Sequence, residues 1–296
     1  MPKISIILVN YKTWQDTIEC VESILCNDYQ NFEIIIVEVS NQNNSLQELK
    51  NYSQNIGKVK IIEFPENKGF AEANNIAIKY VLEQNKSDFL WILNNDTVIK
   101  KNSITELLNF YINKKDDKIG FIGSKLMYYN NPNLIQTVGG KINRWLAISK
   151  LIGKGEIDTG QYDNQELKPD FVIGAAMFLH KNLISEIGQM PTGYFLYSED
   201  IDWCITAQKF GFVNFTATKS VVLHKQGKTI GNKYLEEDFN PVTGKYLYSS
   251  YLKLFKKHFK INVPMAYFML TKKMFGRLAR NKKTEAKIIL NVILGK

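Results

Sequence analysis

Four short apolar runs dominate the first hundred positions: ISIILV (4–9), FEIIIV (32–37), VKIIEF (59–64) and FLWIL (89–93). Each is rich in Ile, Val or Phe and reads as a strand apolar on both faces, as central strands of a parallel sheet are. Between them the period changes. Residues 13–26 set Ile18, Val21, Ile24 and Leu25 on one helical stripe, and residues 68–84 do the same with Phe70, Asn74, Ala77, Ile78 and Val81. Strands alternating with helices predict an α/β fold, a mainly parallel βαβ sheet with helices on both faces.

After about residue 125 the pattern loosens. Residues 126–170, rich in Asn, Gly, Lys and Tyr, read as loops and short strands. Order returns with DFVIGAAMFLH (170–180), then a helix over 181–189 ending near Gly188. YFLYSEDIDWCITAQKFG (194–211) reads as a strand end entering a helix stopped by Gly211, and a strand pair around 213–223 closes the body. A boundary near Pro241 to Ser250 divides a body, 1–245 (halves 1–125 and 126–245), from a basic, helical extension, 246–296.

Composition narrows the class. The 296 residues are 45% hydrophobic, enough for the core of one large or two small domains. No apolar run approaches the roughly 18 residues that cross a bilayer. The opening MPKISIILVNYKTW is too short in its apolar part for a signal sequence and reads as a first strand. Cys20, Cys26 and Cys204 show no metal or redox spacing, which fits a reducing cytoplasm.

The net charge of +9 is uneven. Residues 251–296 hold twelve Lys/Arg and one acid, Glu285, a net +11 that leaves residues 1–250 at −2. A nucleic-acid binder usually carries basic charge on its folded body, so the asymmetry points to local attachment instead. The mixed aromatic and basic tail, 251–296, suits an anionic membrane surface or a solvated helical pair on the body.

The first strand ends in LVNYKTW with no glycine, which rules out a Gly-rich dinucleotide loop or a phosphate-cradling loop there. Ligands of open parallel sheets nevertheless bind beyond the carboxyl ends of the strands. Those ends offer Asn10 and Tyr11, then Glu38 and Ser40, then Glu66, Asn67 and Gly69, then Asn94, Asn95 and Asp96. Such a rim of acids and amides can hold a base and ribose, but phosphates need a cation between them and the carboxylates. Asp96 fits that need, since Mg²⁺ or Mn²⁺ takes one or two protein carboxylates and completes its shell with water and phosphate oxygen. Asn-Asn-Asp-Thr is equally good turn and cap chemistry ahead of a helix over 101–114.

YSEDIDW (197–203) places Glu199, Asp200 and Asp202 within four residues. Ser198 can cap a helix there and acids suit its first turn, yet three carboxylates exceed what a cap requires. A carboxylate held among others keeps usable basicity as a proton acceptor. His224, ending a strand, is either structural or, beside Asp96, a metal ligand or phosphate contact. Gly174, Ala175 and Ala176 allow close approach by a ligand or by packed backbone. Gly174 and Ala175, with Trp203, mark a candidate acceptor pocket.

Seven stretches in order, SIILVNYK, IIIVEVSNQNNS, NKGFAEANN, LNNDTVI, DFVIGAAMFLHK, YFLYSEDIDWCITAQKFG and VVLHKQG, resemble the family-two glycosyltransferases of the GT-A fold, and within them the rhamnosyltransferase-like branch. They span residues 3–227, and NKGFAEANN and LNNDT are the most specific. The resemblance implies an inverting transfer from a nucleotide-diphosphate sugar, dTDP-rhamnose or a UDP-sugar, to a glycan or lipid-linked glycan acceptor. Val9, Asn10, Tyr11, Glu38, Asn67, Gly69, Asn94 and Asn95 would bind the donor. Asp96 falls on the last acid of the family's DxD motif and His224 on a histidine that completes the metal site in some members. Asp200 falls on the general base, with Glu199 its partner in the "ED" pair. The chain departs from the usual pattern at Glu38, where Asp is common, and in the two amides that open its DxD. Expected with this are Mg²⁺ or Mn²⁺, no nucleic acid, and a cytoplasmic protein touching the inner face of the cell membrane.

Overall fold

The computed structural model describes residues 1–39, 44–114, 118–225 and 240–296. Ser40, the SNQN part of its loop and the QG of VVLHKQG lie outside the described residues. The first half alternates as its pattern demands: β1 (Ile4–Asn10), α1 (Trp14–Leu25), β2 (Phe32–Val39), α2 (Ser45–Ser53), β3 (Val59–Phe64), α3 (Phe70–Gln84) and β4 (Phe89–Asn94). Then come β5 (Thr97–Ile99), α4 (Ser103–Asn113), β6 (Ile119–Tyr128), β7 (Asn131–Thr137), β8 (Gly140–Asn143) and β9 (Ile148–Leu151). The body ends with β10 (Ala176–His180), α5 (Lys181–Ile187), α6 (Glu199–Lys209) and β11 (Val213–His224). Three helices follow: α7 (Pro241–His258), α8 (Val263–Ala279) and α9 (Lys283–Ile293).

The main sheet runs β3-β2-β1-β4-β10-β6-β11-β5, with β7 on β6. Pairing is parallel from β3 through β4. β10 then enters antiparallel to both β4 and β6, so the sheet is mixed in its second half. Two apolar clusters cover its faces. Ile6, Leu8, Ile34 and Trp91 pack with α1 and α4 on one side, and Ile7, Val37, Ile92 and Met177 pack with α3 and α6 on the other. Alternate residues of one strand thus serve both layers, as a doubly covered sheet requires.

Two expectations change. β3 is an edge strand, not a central one, and its Lys60 and Glu63 face solvent. The closing strand pair is one long strand, β11, which pairs parallel with β6 and antiparallel with β5. A bulge between Ala217 and Val221 breaks its alternation, which makes one strand read as two. The loose stretch after 125 holds short strands as expected, β7 to β9, with the end of β6; Lys125, just ahead of it, is buried and ion-paired with Asp158 and Asp163.

Register aligns the site. β1 pairs Asn10 with Glu38 and Val9 with Asn94, so the carboxyl ends of β1, β2 and β4 form one edge. The C-terminal helices bury Tyr248, Phe255, Ala266, Leu270 and Ile289 in a cluster of their own. Among the described residues no helix is long and apolar enough to cross a membrane.

Candidate active site

At the strand-end edge, Asn95 fixes the first strand turn. Its Nδ2 donates to Asn10 Oδ1 (3.2 Å), Thr13 Oγ1 (2.9 Å) and Thr17 Oγ1 (2.9 Å). Asn10 in turn donates to Ser45 Oγ at 2.7 Å and to Glu38 Oε2. Glu38 is therefore held inward by Asn10 and Ser45, and burial pushes its carboxyl up to about 6. Its second oxygen, Oε1, is buried with no hydrogen-bond partner among the described residues. Buried acceptors are seldom left unpaired, so Oε1 is the polar atom here that a donor group would satisfy.

The turn after β4 brings Asp96 to His224. Their Oδ1 and Nε2 lie 3.3 Å apart, and both side chains are nearly buried. Asn94 Nδ2 stands 3.3 Å from the same Nε2. The other ring nitrogen, Nδ1, sits 3.0 Å from Gln136 Oε1 on β7. An amide oxygen only accepts, so Nδ1 carries the hydrogen and, in the neutral ring, the Nε2 lone pair is turned toward the Asp96 carboxylate. A lone pair facing a carboxylate oxygen is the donor set a divalent cation bridges. The residues present therefore fit Mg²⁺ or Mn²⁺ with two protein ligands, the rest of the shell left to water and phosphate. Among the described residues no group of three His, Cys, Asp or Glu gathers around one point. The strand end carrying His224 is pinned by Lys225, whose N–H donates to Asp96 O (3.0 Å) and whose Nζ pairs with Asp16 (2.6 Å).

The second acid site lies across a backbone bridge. Asn94 N–H donates to Ala175 O (3.0 Å), and Gly174 N–H donates to Asp200 Oδ2 (2.8 Å). Ile201 N–H donates to Asp200 Oδ1, also at 2.8 Å. Gly174 and Ala175 are buried and join the two sites through their main chains. Burial raises Asp200 above the usual carboxylate range, against the two N–H bonds that lower it. Glu199 is 5% exposed, and burial first, then the adjacent Asp200 charge, push it up to about 8. Its Oε2 has no partner among the described residues.

The segment entering this pair is tightly held. Tyr197 and Ser198 both have φ of 70°, the left-handed region, where a side chain costs about 1–3 kcal/mol each. Ser198 stands at the cap position of α6, but its hydroxyl makes no cap bond, contrary to expectation. What compensates is outside contact. Phe70 N–H donates to Phe195 O (3.2 Å), Ser250 Oγ donates to Leu196 O (2.9 Å), and Phe195 stacks on Tyr246 at 4.5 Å. Gly69, with φ 98°, is required here because a β-carbon would collide with the Phe195 carbonyl. Asn67 Oδ1 accepts from Gly69 N–H at 3.1 Å. Asn67 and Gly69 thus shape the turn that seats the acid-bearing segment.

Two residues were read differently in sequence. Trp203 does not line a pocket. It is fully buried, packed on Phe121 and donating through Nε1 to Gly188 O (3.0 Å). Its position four residues into α6 turns it toward the sheet. Asp202 is not a third member of a repelling cluster. It is fully buried, and Lys257 Nζ reaches both its oxygens (2.7 and 2.8 Å), His258 Nε2 one (2.7 Å), and Tyr194 OH donates at 2.8 Å. Although burial pushes Asp202 up, these partners hold its carboxyl below the usual range. The ion-pair role of Asp202 and the place of Gln136 beside His224 are what sequence reasoning missed. Surplus acid in YSEDIDW hinted at the first; no signal marked the second.

The family described as Glycosyl transferase family 2 matches residues 5–182. A low-salt glycan biosynthesis hexosyltransferase of Haloferax volcanii is 25% identical over 211 residues, 70% of this chain and 62% of that protein. The chain therefore spans less than two thirds of that relative. The structure of GalNAc-T7 with UDP, GalNAc and Mn²⁺ superposes with TM-score 0.70 at 14% identity, covering 97% of this chain and 54% of the other. A mannosyltransferase of Pyrobaculum calidifontis in complex with GDP-Man and Mn²⁺ superposes with TM-score 0.63 at 11% identity, covering 99% and 86%. At these identities the structural likeness speaks for the fold, an α/β arrangement of GT-A type.

Proposed function

The chain belongs to glycosyl transferase family 2, and from that premise we propose that it moves a sugar from a nucleotide-diphosphate donor to a glycan or lipid-linked glycan with inversion, in cell-surface polysaccharide assembly. The observation that supports this most is the pairing of Asp96 Oδ1 with the Nε2 of a histidine whose tautomer Gln136 sets. It stands on the same strand-end edge as Asn10, Glu38 and Asn95. Asp96 and His224 would hold Mg²⁺ or Mn²⁺, which when bound offsets the charge growing on the departing diphosphate. The solved GalNAc-T7 and mannosyltransferase complexes contain Mn²⁺.

The chain's own residues then divide the work. Glu38 Oε1, buried and without a partner among the described residues, accepts a hydrogen bond from the base or ribose. Asn94 and Asn95 hold the turn that presents Asp96. Asp200, fixed by the Gly174 and Ile201 amides, takes the proton of the acceptor hydroxyl as that oxygen attacks the anomeric carbon. Glu199, held up by burial and by the adjacent Asp200 charge, keeps its proton near neutral pH, while the two amide N–H groups on Asp200 favour the charged form of that carboxyl. Two carboxyls in such unlike surroundings can serve as one base and one neutral neighbour.

Two donors have support. The LNNDT and NKGFAEANN stretches favour rhamnose on dTDP, while the haloarchaeal hexosyltransferase and the UDP and GDP-Man complexes favour a hexose or N-acetylhexosamine. The basic helices α7 to α9 would seat the enzyme on an anionic membrane surface. The test is a thermal-shift panel of dTDP-rhamnose, UDP-sugars and GDP-sugars with and without Mn²⁺. One donor should give a large metal-dependent shift that Asp96→Ala abolishes. An equal shift with and without metal, or one surviving Asp96→Ala, removes Asp96 from the site.

A further inference from the structure

The C-terminal helices enclose a pocket of about 500 Å³ between α7, α8 and the start of β9, a volume in the range of small-molecule sites. Its floor is apolar, from Ile148, Leu247, Tyr251 and Met269. Its α8 wall is basic, with Lys272, Lys273, Arg277 and Arg280. Positions 269, 272, 273, 276 and 280 recur at three or four residues, so one face of the helix presents cations and a thioether together. Gly276 lies in that face, and a β-carbon there would meet open space. Residues 263–279 contain no acid. Glu285 is buried against Tyr248 and Arg277.

Residues adjoining the lining in sequence are exposed and apolar as well. Trp145 is 69% exposed, and Leu146, Phe268 and Phe275 are exposed beside it in sequence and on the adjoining stripe of α8. Large exposed aromatics gathered near cations are what a protein resting in the headgroup layer displays. α7 also joins this pocket to the acid site. Leu247 and Tyr251 line the pocket, while Tyr246 and Ser250 of the same helix hold Phe195 and Leu196.

We propose that this pocket binds the phosphate and first hydrocarbon segment of a phosphorylated lipid, the carrier of the acceptor glycan. A free anion needs only the cations and a neutral lipid only the apolar floor. A phosphate ester of a long hydrocarbon chain uses both where they adjoin, and its phosphate answers the tail's net charge of +11. The inference rests on the transferase reading, because it assigns the acceptor's anchor to the same enzyme.

The test uses the full chain and two vesicle sets of matched surface charge, one doped with a long-chain isoprenyl phosphate and one with phosphatidylglycerol. Co-sedimentation should show at least tenfold tighter partition onto the isoprenyl phosphate. Gly276→Phe fills the pocket without changing charge. It should erase that preference while binding to phosphatidylglycerol persists, and its melting temperature reports that it is folded. Lys272→Gln combined with Arg280→Gln should weaken both. Equal partition of the unaltered protein overturns the proposal with no variant needed. So does a preference that survives Gly276→Phe, or full competition by millimolar inorganic phosphate. Sugar transfer to a soluble acceptor alongside equal partition sinks the pocket and leaves the transferase reading. Isoprenyl-phosphate preference without any donor-dependent transfer does the reverse.

Discussion

Two acid sites meet at the Gly174–Ala175 bridge, and their surroundings differ in kind. Asp96 faces a histidine nitrogen whose hydrogen has been drawn to the far side by Gln136, so its environment offers a second lone pair. Glu199 and Asp200 adjoin at the start of α6, one with an oxygen that has no partner among the described residues and one gripped by two amides. The first arrangement suits a cation shared between ligands. The second suits a proton, since neighbouring carboxyls in a buried place cannot both be charged cheaply. Asp202, two residues further on, supplies the control: the same residue type, also buried, but answered by Lys257 and His258 and held low. Burial alone does not assign a carboxylate its role; what stands opposite it does.

The largest effect should come from the proton site. Asp200→Asn keeps the size of the side chain and one amide contact, loses the other because its NH2 group cannot accept, and removes the base; a positioned general base is worth about 10²–10⁴-fold in rate. Turnover should fall by that factor while donor affinity stays near that of the unaltered protein. Full transfer activity in Asp200→Asn would mean that the proton leaves by another route and that the contrast between the sites is misdrawn.

Asp202 tests the control. Asp202→Asn leaves Lys257 and His258 facing a neutral group. Breaking a buried pair in this way costs roughly 3–5 kcal/mol, and the lower end applies because Lys257 is 49% exposed. Chemical denaturation should show a loss of about 3 kcal/mol, with α7 loosened from α6. A loss under about 1 kcal/mol would mean that the tail is held by its apolar cluster, not by this carboxylate.

These sites were unequally legible in the chain. β1, β2 and β4 announce themselves because both faces are buried, and strand ends follow from strands; hence Asn10, Glu38 and Asp96 were found as a rim. The nearness of His224 to Asp96 depends on β11 pairing with β5, a contact between residues 97 and 224 that no local pattern encodes. The partners of Asp202 lie 55 and 56 residues away in a segment whose charge suggested a membrane surface or a helical pair on the body, and neither reading marks a buried carboxylate as its anchor. Trp203 and Ser198 were misread for one reason: their neighbours in sequence are chemically loud, while what fixes them lies far along the chain, Phe121 of β6 for Trp203 and the α3 and α7 contacts of Phe195 and Leu196 for the turn that holds Ser198. The antiparallel entry of β10 was hidden because a strand buried on both faces looks the same in either direction.

Gln136 offers a smaller and sharper probe of the cation site. Gln136→Leu removes the acceptor that draws the hydrogen to Nδ1, freeing the ring to place a hydrogen on Nε2. Loss of such an orienting partner typically costs about 10–100-fold in metal affinity. Mn²⁺ titration in the presence of nucleotide should show that loss, and Gln136→Glu, which keeps an acceptor, should recover most of it. Unchanged Mn²⁺ affinity in Gln136→Leu would leave His224 as a structural neighbour of Asp96.

The gentlest test concerns pH. Glu199 has an ordinary value of 4.5 and is raised to about 8 in the folded chain, by burial and by Asp200. Between those values the folded state holds a proton that the unfolded state has released. Stability therefore falls as pH climbs through this window, and the loss is complete above about 8. Glu199→Gln keeps the neutral shape and has no proton to lose, so its stability should decline less over the same range. Melting temperatures of the two proteins should lie close together near pH 5 and separate near pH 8.5, with Glu199→Gln the higher. Parallel curves would mean that Glu199 ionises as readily folded as unfolded. Asp200 would then lose its neutral neighbour, and the two acid sites would no longer differ in how they carry charge.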